Sequence, residues 1–225
     1  MGGARVLRSG SAGAYGVAAV GLVLAVVCAV GLLGGYRLTS VVSDSMAPSY
    51  GVGDSVLYER VGGGGLRRGD VVLFSMPGRH GEGVLVMQRV IGVGGDRVVC
   101  CTGVGAEEAV SVNGRVLAEP YVFDGIAHGV GAPYDVRVPE GRLFLLGDRR
   151  ETANDSRFHA GDHGGTVPVG AVEGRVVDDS GRAVLLAVGT GVGAGALLVG
   201  AGVGIAAEVG RRRRGEAGVV ARGVV

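Results

Sequence analysis

The sequence predicts a mostly β domain carried by an N-terminal transmembrane anchor, with a second transmembrane helix at the C-terminal end. Three observations support this. An uncharged run lies near each end of the 225 residues. The stretch between them is built of short valine- and leucine-rich segments broken by glycine. Those segments are separated by tight-turn signals rather than by any amphipathic pattern of helical period.

Residues 1–10 contain Arg5 and Arg8 and read as a basic cytoplasmic tail. Residues 11–36 follow as 26 positions without a charge, enough to cross a hydrocarbon core at about 1.5 Å per residue. A cleaved secretory leader would have a shorter apolar core and a small-x-small exit. Here the exit is G-G-Y-R-L-T-S, so an uncleaved anchor is expected. Residues 37–182 are the predicted β domain. Residues 183–207 form a second uncharged run of 25, rich in glycine and alanine. Small residues add little transfer energy but suit close helix contact, so this run is expected to span. Residues 208–225 close the chain as a second basic tail.

Charge sets the expected orientation. Residues 38–182 hold 14 arginines against 19 acids, net −5, and the remainder holds 8 against 2, net +6. Basic flanks stay in the cytoplasm, which puts both termini inside the cell membrane and the β domain outside it, with the lipid bilayer as a partner. The run Arg211 to Arg214 adjoins an apolar segment and therefore reads as a topology signal, so no nucleic acid is expected.

Within the domain, Val71 to Phe74, Val84 to Val90, Val98 to Cys101 and Leu143 to Leu146 read as strands. Asn113-Gly114, inside V-S-V-N-G-R-V-L, suits the positive dihedrals of a primed hairpin turn. Gly62 to Gly65 and Gly125 to Pro133 read as glycine-rich loops. Cys28 lies in the first apolar run. Cys100 and Cys101 are adjacent, and successive side chains of a strand point apart, so no disulfide between them is expected. No metal-ligand spacing is present: metal, none; cofactor, none.

Six segments stand out, two of them, from Val52 and from Arg67, explained as Gly-Asp turns that feed core strands. In order they are S-D-S-M-A-P from Ser43, V-G-D-S-V-L-Y-E-R from Val52, R-R-G-D-V-V-L-F from Arg67, M-Q-R-V-I-G-V-G-G-D from Met87, V-N-G-R-V-L-A-E-P-Y from Val112, and L-L-G-D-R-R-E-T-A-N-D-S-R from Leu145. With the anchor in front, this ordered set resembles the bacterial type I signal peptidases over about residues 11–177. The resemblance implies a signal-peptidase-like β domain and a membrane serine endopeptidase, a hydrolase that removes signal peptides from secretory precursors. It implies Ser45 as nucleophile, with the Ser43 hydroxyl and the Ser45 N–H as oxyanion donors. It also implies a site shaped by Met46, Pro48, Arg89, Gly147, Asp148, Arg150, Ala153, Asp155, Ser156 and Arg157.

That family uses a neutral lysine amine as the base. This chain has no lysine: all 22 of its basic residues are arginine, and Gln88 holds the lysine position. A carboxamide has no usable basicity, and Arg89 cannot substitute because a guanidinium stays protonated. Ala153 stands where the family's serine would contact the lysine amine, and Arg149 where it has asparagine. Losing both halves of one hydrogen-bonded pair avoids an orphaned buried hydroxyl, and Gln88 could then hydrogen-bond Ser45. Two readings follow: an endopeptidase that recruits another base, or an inactive relative that binds signal peptides or a membrane partner, such as an active paralogue. His80, His128, His159 and His163 are the candidate replacement bases, all in predicted loops or beyond the last segment. A metal site from His159, Asp162 and His163 lacks a fourth convergent ligand.

Overall fold

The computed structural model describes residues 3–62, 64–103, 108–127, 129, 132–177 and 180–220. Gly63, His128, Val130 and Gly131, from the two predicted glycine-rich loops, lie outside the described residues. Among the described residues there are three α-helices, α1 Gly3–Gly35, α2 Pro77–His80 and α3 Gly181–Val220. The chain divides into two compact units, residues 1–35 with 179–225, and residues 36–178.

The first unit is a pair of helices, α1 and α3, whose stretches Ala12–Gly35 and Gly181–Arg214 are long and apolar enough to cross a membrane. They meet through glycine. A Cβ added at Gly193 would lie 2.5 Å from the Ala25 nitrogen, and one at Gly200 would lie 2.6 Å from the Ala18 nitrogen. The two backbones therefore touch directly, the arrangement that small residues permit between apolar helices. Helix α3 outruns the expected 183–207, because good helix formers continue it past the apolar run and Arg211 pairs with Glu208 at 2.6 Å. Helix α1 ends at Gly35, and Tyr36, placed in the anchor by its lack of charge, instead begins a strand.

The second unit is mostly β, as the segment pattern predicts. Its strands are β1 Tyr36–Ser40, β2 Ser55–Glu59, β3 Val71–Phe74, β4 Val86–Val93, β5 Arg97–Thr102, β6 Ala109–Val112, β7 Arg115–Val116, β8 Tyr134–Arg137, β9 Arg142–Leu146, β10 Val167–Pro168 and β11 Val172–Val176. Seven form one antiparallel sheet in the order β1-β2-β11-β3-β4-β9-β10, and four form another, β7-β6-β5-β8. The β6–β7 hairpin turns at Asn113 and Gly114, with φ of 54° and 79°, the left-handed region that a primed turn requires. Gly-Asp pairs precede β2 and β3, as Gly53-Asp54 and Gly69-Asp70.

Three apolar clusters fill the domain. Val72, Phe74, Val90, Leu143 and Leu145 lie on one face of the larger sheet, and Val41, Met46, Val56, Val71 and Leu73 on the other. Ile91, Phe144 and Leu146 join Val98, Val110 and Val112 of the smaller sheet. The two adjacent cysteines depart from expectation: the structure bonds Cys100 to Cys101. The β5–β6 register shifts between Val99 and Thr102, so the strict alternation that would separate their side chains does not hold there.

Candidate active site

Ser45 lies in the loop that leaves β1. Two bonds, from the Val41 N–H to the Asp54 carbonyl and from the Gly53 N–H to the Val41 carbonyl, both 2.9 Å, close the base of the loop. Met46, only 1% exposed, plugs into the cluster with Val41, Val56 and Leu73, so the residue after Ser45 is a packing anchor. Pro48 is exposed and follows a cis peptide. The Arg149 N–H donates to the Ser45 carbonyl at 3.0 Å, fixing the loop from behind. The Ser45 N–H donates to Ser43 Oγ at 3.3 Å. The two groups assigned to an oxyanion thus converge, and an incoming oxyanion would replace a long bond between them.

Strand β4 supplies the next pair. Gln88 is 2% exposed, and its amide Nε2 donates to the Asn154 carbonyl at 2.8 Å. The expected bond to Ser45 is not made; the backbone carbonyl of Asn154 is the acceptor that Gln88 meets. Arg89 points to the opposite face, as alternation in a strand dictates. Its Nε and Nη2 reach the two Asp148 oxygens at 2.8 and 2.5 Å, and its guanidinium lies 4.0 Å over the Tyr121 ring. Ser49 Oγ donates to the same carboxylate at 2.5 Å. Burial works against the Arg89 charge, but Asp148 outweighs it and the guanidinium is held above its ordinary pKa.

The segment after β9 closes the site. A Cβ at Gly147 would collide with that of Ala153 and lie 2.7 Å from the Ser45 carbonyl oxygen, so only glycine lets this segment lie against the nucleophile loop. Ala153 is buried at that contact. The Gly147 N–H donates to Asp155 at 3.1 Å. Asp155 also receives Arg157 Nε and Nη2, each at 2.8 Å. The Leu145 N–H donates to Ser156 Oγ at 3.0 Å. Arg150 is fully buried and pairs with Glu119 at 2.5 Å, while its Nε donates to the Gly147 carbonyl at 2.8 Å. Arg149, at the asparagine position, reaches back to Asp44 at 2.6 Å and lies 4.7 Å over the Phe123 ring. Its charge is thereby matched by the residue between the two serines.

A cleft of about 250 Å³ is lined by Ser43, Ser45, Leu73, Met87, Gln88 and Asn154, with His80 also on its wall. The structure thus brings the predicted nucleophile, its oxyanion partner and Gln88 to one cavity. It leaves Met46, Asp148, Arg150, Asp155, Ser156 and Arg157 as supports buried around it. His163 is instead paired with Asp162 at 2.7 Å, and His128 lies outside the described residues. Asp162 also accepts Arg79, and its carboxyl is lowered to about 2 by His163 and Arg79. Sequence reasoning missed Asn154 and Ser49 as partners, since neither has a spacing signal. Glu119 was in view within L-A-E-P-Y, but only the fold shows that it meets Arg150.

The profile of the family described as "Signal peptidase, peptidase S26" matches residues 14–178. Signal peptidase IB of Staphylococcus aureus (strain COL) is 31% identical over 131 residues, covering 51% of this chain and 64% of that protein. Signal peptidase I of Bacillus licheniformis is 32% identical over 101 residues, covering 42% of this chain and 50% of that protein. A solved signal peptidase I from Enterococcus faecalis V583 aligns with 50% of this chain and 97% of its own at 26% identity, with a TM-score of 0.38. The chain spans less than two thirds of the length of both curated relatives. With four of the six ordered segments lining one cleft and the family profile covering most of the sequence, the chain belongs to the S26 signal peptidase family.

Proposed function

We propose that this protein binds signal peptides of secretory precursors in the Ser45 cleft without cleaving them by the serine–lysine route. The observation that carries this reading is the bond from Gln88 Nε2 to the Asn154 carbonyl. At the lysine position stands a buried, neutral amide that bonds the Asn154 carbonyl, and so this position offers Ser45 no base to take its proton. The rest of the site is kept: the nucleophile loop is anchored, the oxyanion groups converge, and the cleft is open. Such a groove recognises an extended peptide by strand-like pairing and shallow pockets. The apolar helices and the family mark the chain as membrane-associated. The charge asymmetry favours the β domain on the outer face with both termini in the cytoplasm. An active paralogue is a fitting partner, since a cleft that binds and does not cut would hold or present its substrates.

A second reading, hydrolysis with another base, has one observation in its favour: the wall of the same cleft carries His80. The test is to incubate a secretory precursor with the detergent-solubilised chain and with Ser45→Ala, scoring binding and cleavage. The expected result is precursor retained equally by both proteins and cut by neither. Cleavage that disappears with Ser45→Ala would overturn the proposal in favour of the second reading.

A further inference from the structure

We propose that His80 is a specificity-determining residue of the Ser45 cleft, favouring bound peptides that place a carboxylate side chain against it once the pH is acidic enough to protonate the imidazole. The inference rests on the peptide-binding reading above and deepens it. Strand β3 ends at Phe74 and β4 begins at Val86, and α2 lies in the connection between them. His80, its last residue, reaches the cleft wall beside Val84, Leu85 and Val86. The ring is held by two aromatic neighbours, edge-on to Phe74 at 5.8 Å and to His159 at 5.6 Å between centroids. It is therefore a fixed part of the wall.

The remaining lining residues are aliphatic side chains, hydroxyls and amides. His80 is the one among them that titrates in the physiological range. Burial, His159 and the neighbouring Arg79 all push its pKa below the ordinary value, so at neutral pH the wall is uncharged. Among the described residues no carboxylate is paired with His80; Glu82, two positions on, is exposed. Arg79 directs its guanidinium to Asp162 and to the Gly165 and Thr166 carbonyls. Asp162 is also held by His163, and Asp155 by Arg157 and the Gly147 N–H. His159, itself pushed down by burial and by Arg79, faces His80 as a second base rather than as a counter-ion. Among the described residues a protonated His80 is thus paired with no carboxylate, and a peptide that brings one supplies it. By linkage, binding such a peptide is accompanied by uptake of a proton at His80, and the peptide's affinity rises as the pH falls.

The experiment uses the full detergent-solubilised chain and a fluorescent set of peptides spanning a precursor cleavage region, with one Glu, or Leu in its place, at each position in turn. Binding is measured at pH 5.0 and pH 8.0. At one position the Glu-to-Leu affinity ratio is expected to rise about tenfold between pH 8.0 and pH 5.0. The change should vanish in His80→Gln, which keeps a polar wall, and in His80→Ala. A ratio that is independent of pH at every position, or a rise that survives in His80→Gln, would overturn the inference while leaving the peptide-binding reading intact. Failure of every peptide to bind at either pH would overturn both.

Discussion

Gln88 and Arg89 are consecutive on β4 and face opposite sides of the sheet, and the two sides are held in unlike ways. Arg89 is bound into a charge network: Asp148 takes its fork, Ser49 adds a third bond, the Gly69 carbonyl accepts Nη1 at 2.9 Å, and Tyr121 covers the plane. Gln88 has one bond, to a backbone carbonyl. The scaffold beneath the nucleophile thus stands on arginine–carboxylate pairs in which position 88 takes no part. That is why an amide can occupy the base position without disturbing the loop that presents Ser45.

The contrast can be broken from either side. Restoring the base is the larger change: Gln88→Lys with Ala153→Ser should raise precursor cleavage by about 10² to 10⁴-fold, the contribution of a positioned general base. A folded double variant that remains inert would show that the intact scaffold no longer presents a competent serine. Removing the network's acceptor comes next. Asp148→Ala leaves the partly buried Arg89 without its fully buried counter-charge and should destabilise the domain by about 3–5 kcal/mol in denaturant unfolding, whereas Gln88→Leu should cost far less. Third, Gly147→Ala forces a methyl against Ala153 and the Ser45 carbonyl and should cost about 1–3 kcal/mol, with Ala153→Gly relieving part of it in the double variant. The smallest effect sharpens the comparison at its edge. Arg149 and Asp44 keep 30% and 45% of their side-chain surface exposed, so a double-mutant cycle should give a coupling of only about 0.2–1 kcal/mol.

Features governed by local chemistry were legible in the sequence. Val71 to Phe74 is strand β3 residue for residue, Asn113-Gly114 makes its turn, and four of the six ordered segments meet at one cleft. Features governed by distant contacts were not. Glu119 finds Arg150 across 31 positions, and Asn154 accepts from Gln88 across 66; no periodicity encodes either pairing. The Cys100–Cys101 bond was missed because alternation was assumed through a stretch where the strand register breaks. His80 read as a loop histidine because its place on the cleft wall follows from how the β3–β4 connection folds, which composition does not reveal.

The length of α3 has a consequence of its own. Arg211 to Arg214 lie inside the helix, not in a tail beyond it. Successive residues of an α-helix are turned by about 100°, so four in a row sweep nearly the full circumference. They form a collar of charge rather than a stripe. In a bilayer such a collar would resist being drawn into hydrocarbon whichever way the helix is turned, fixing depth and leaving rotation open. Rotation is set instead by the glycines at 193 and 200, which allow only one face of α3 to meet α1 so closely. Vertical position and azimuth are thus controlled by separate residues, and each can be changed without the other.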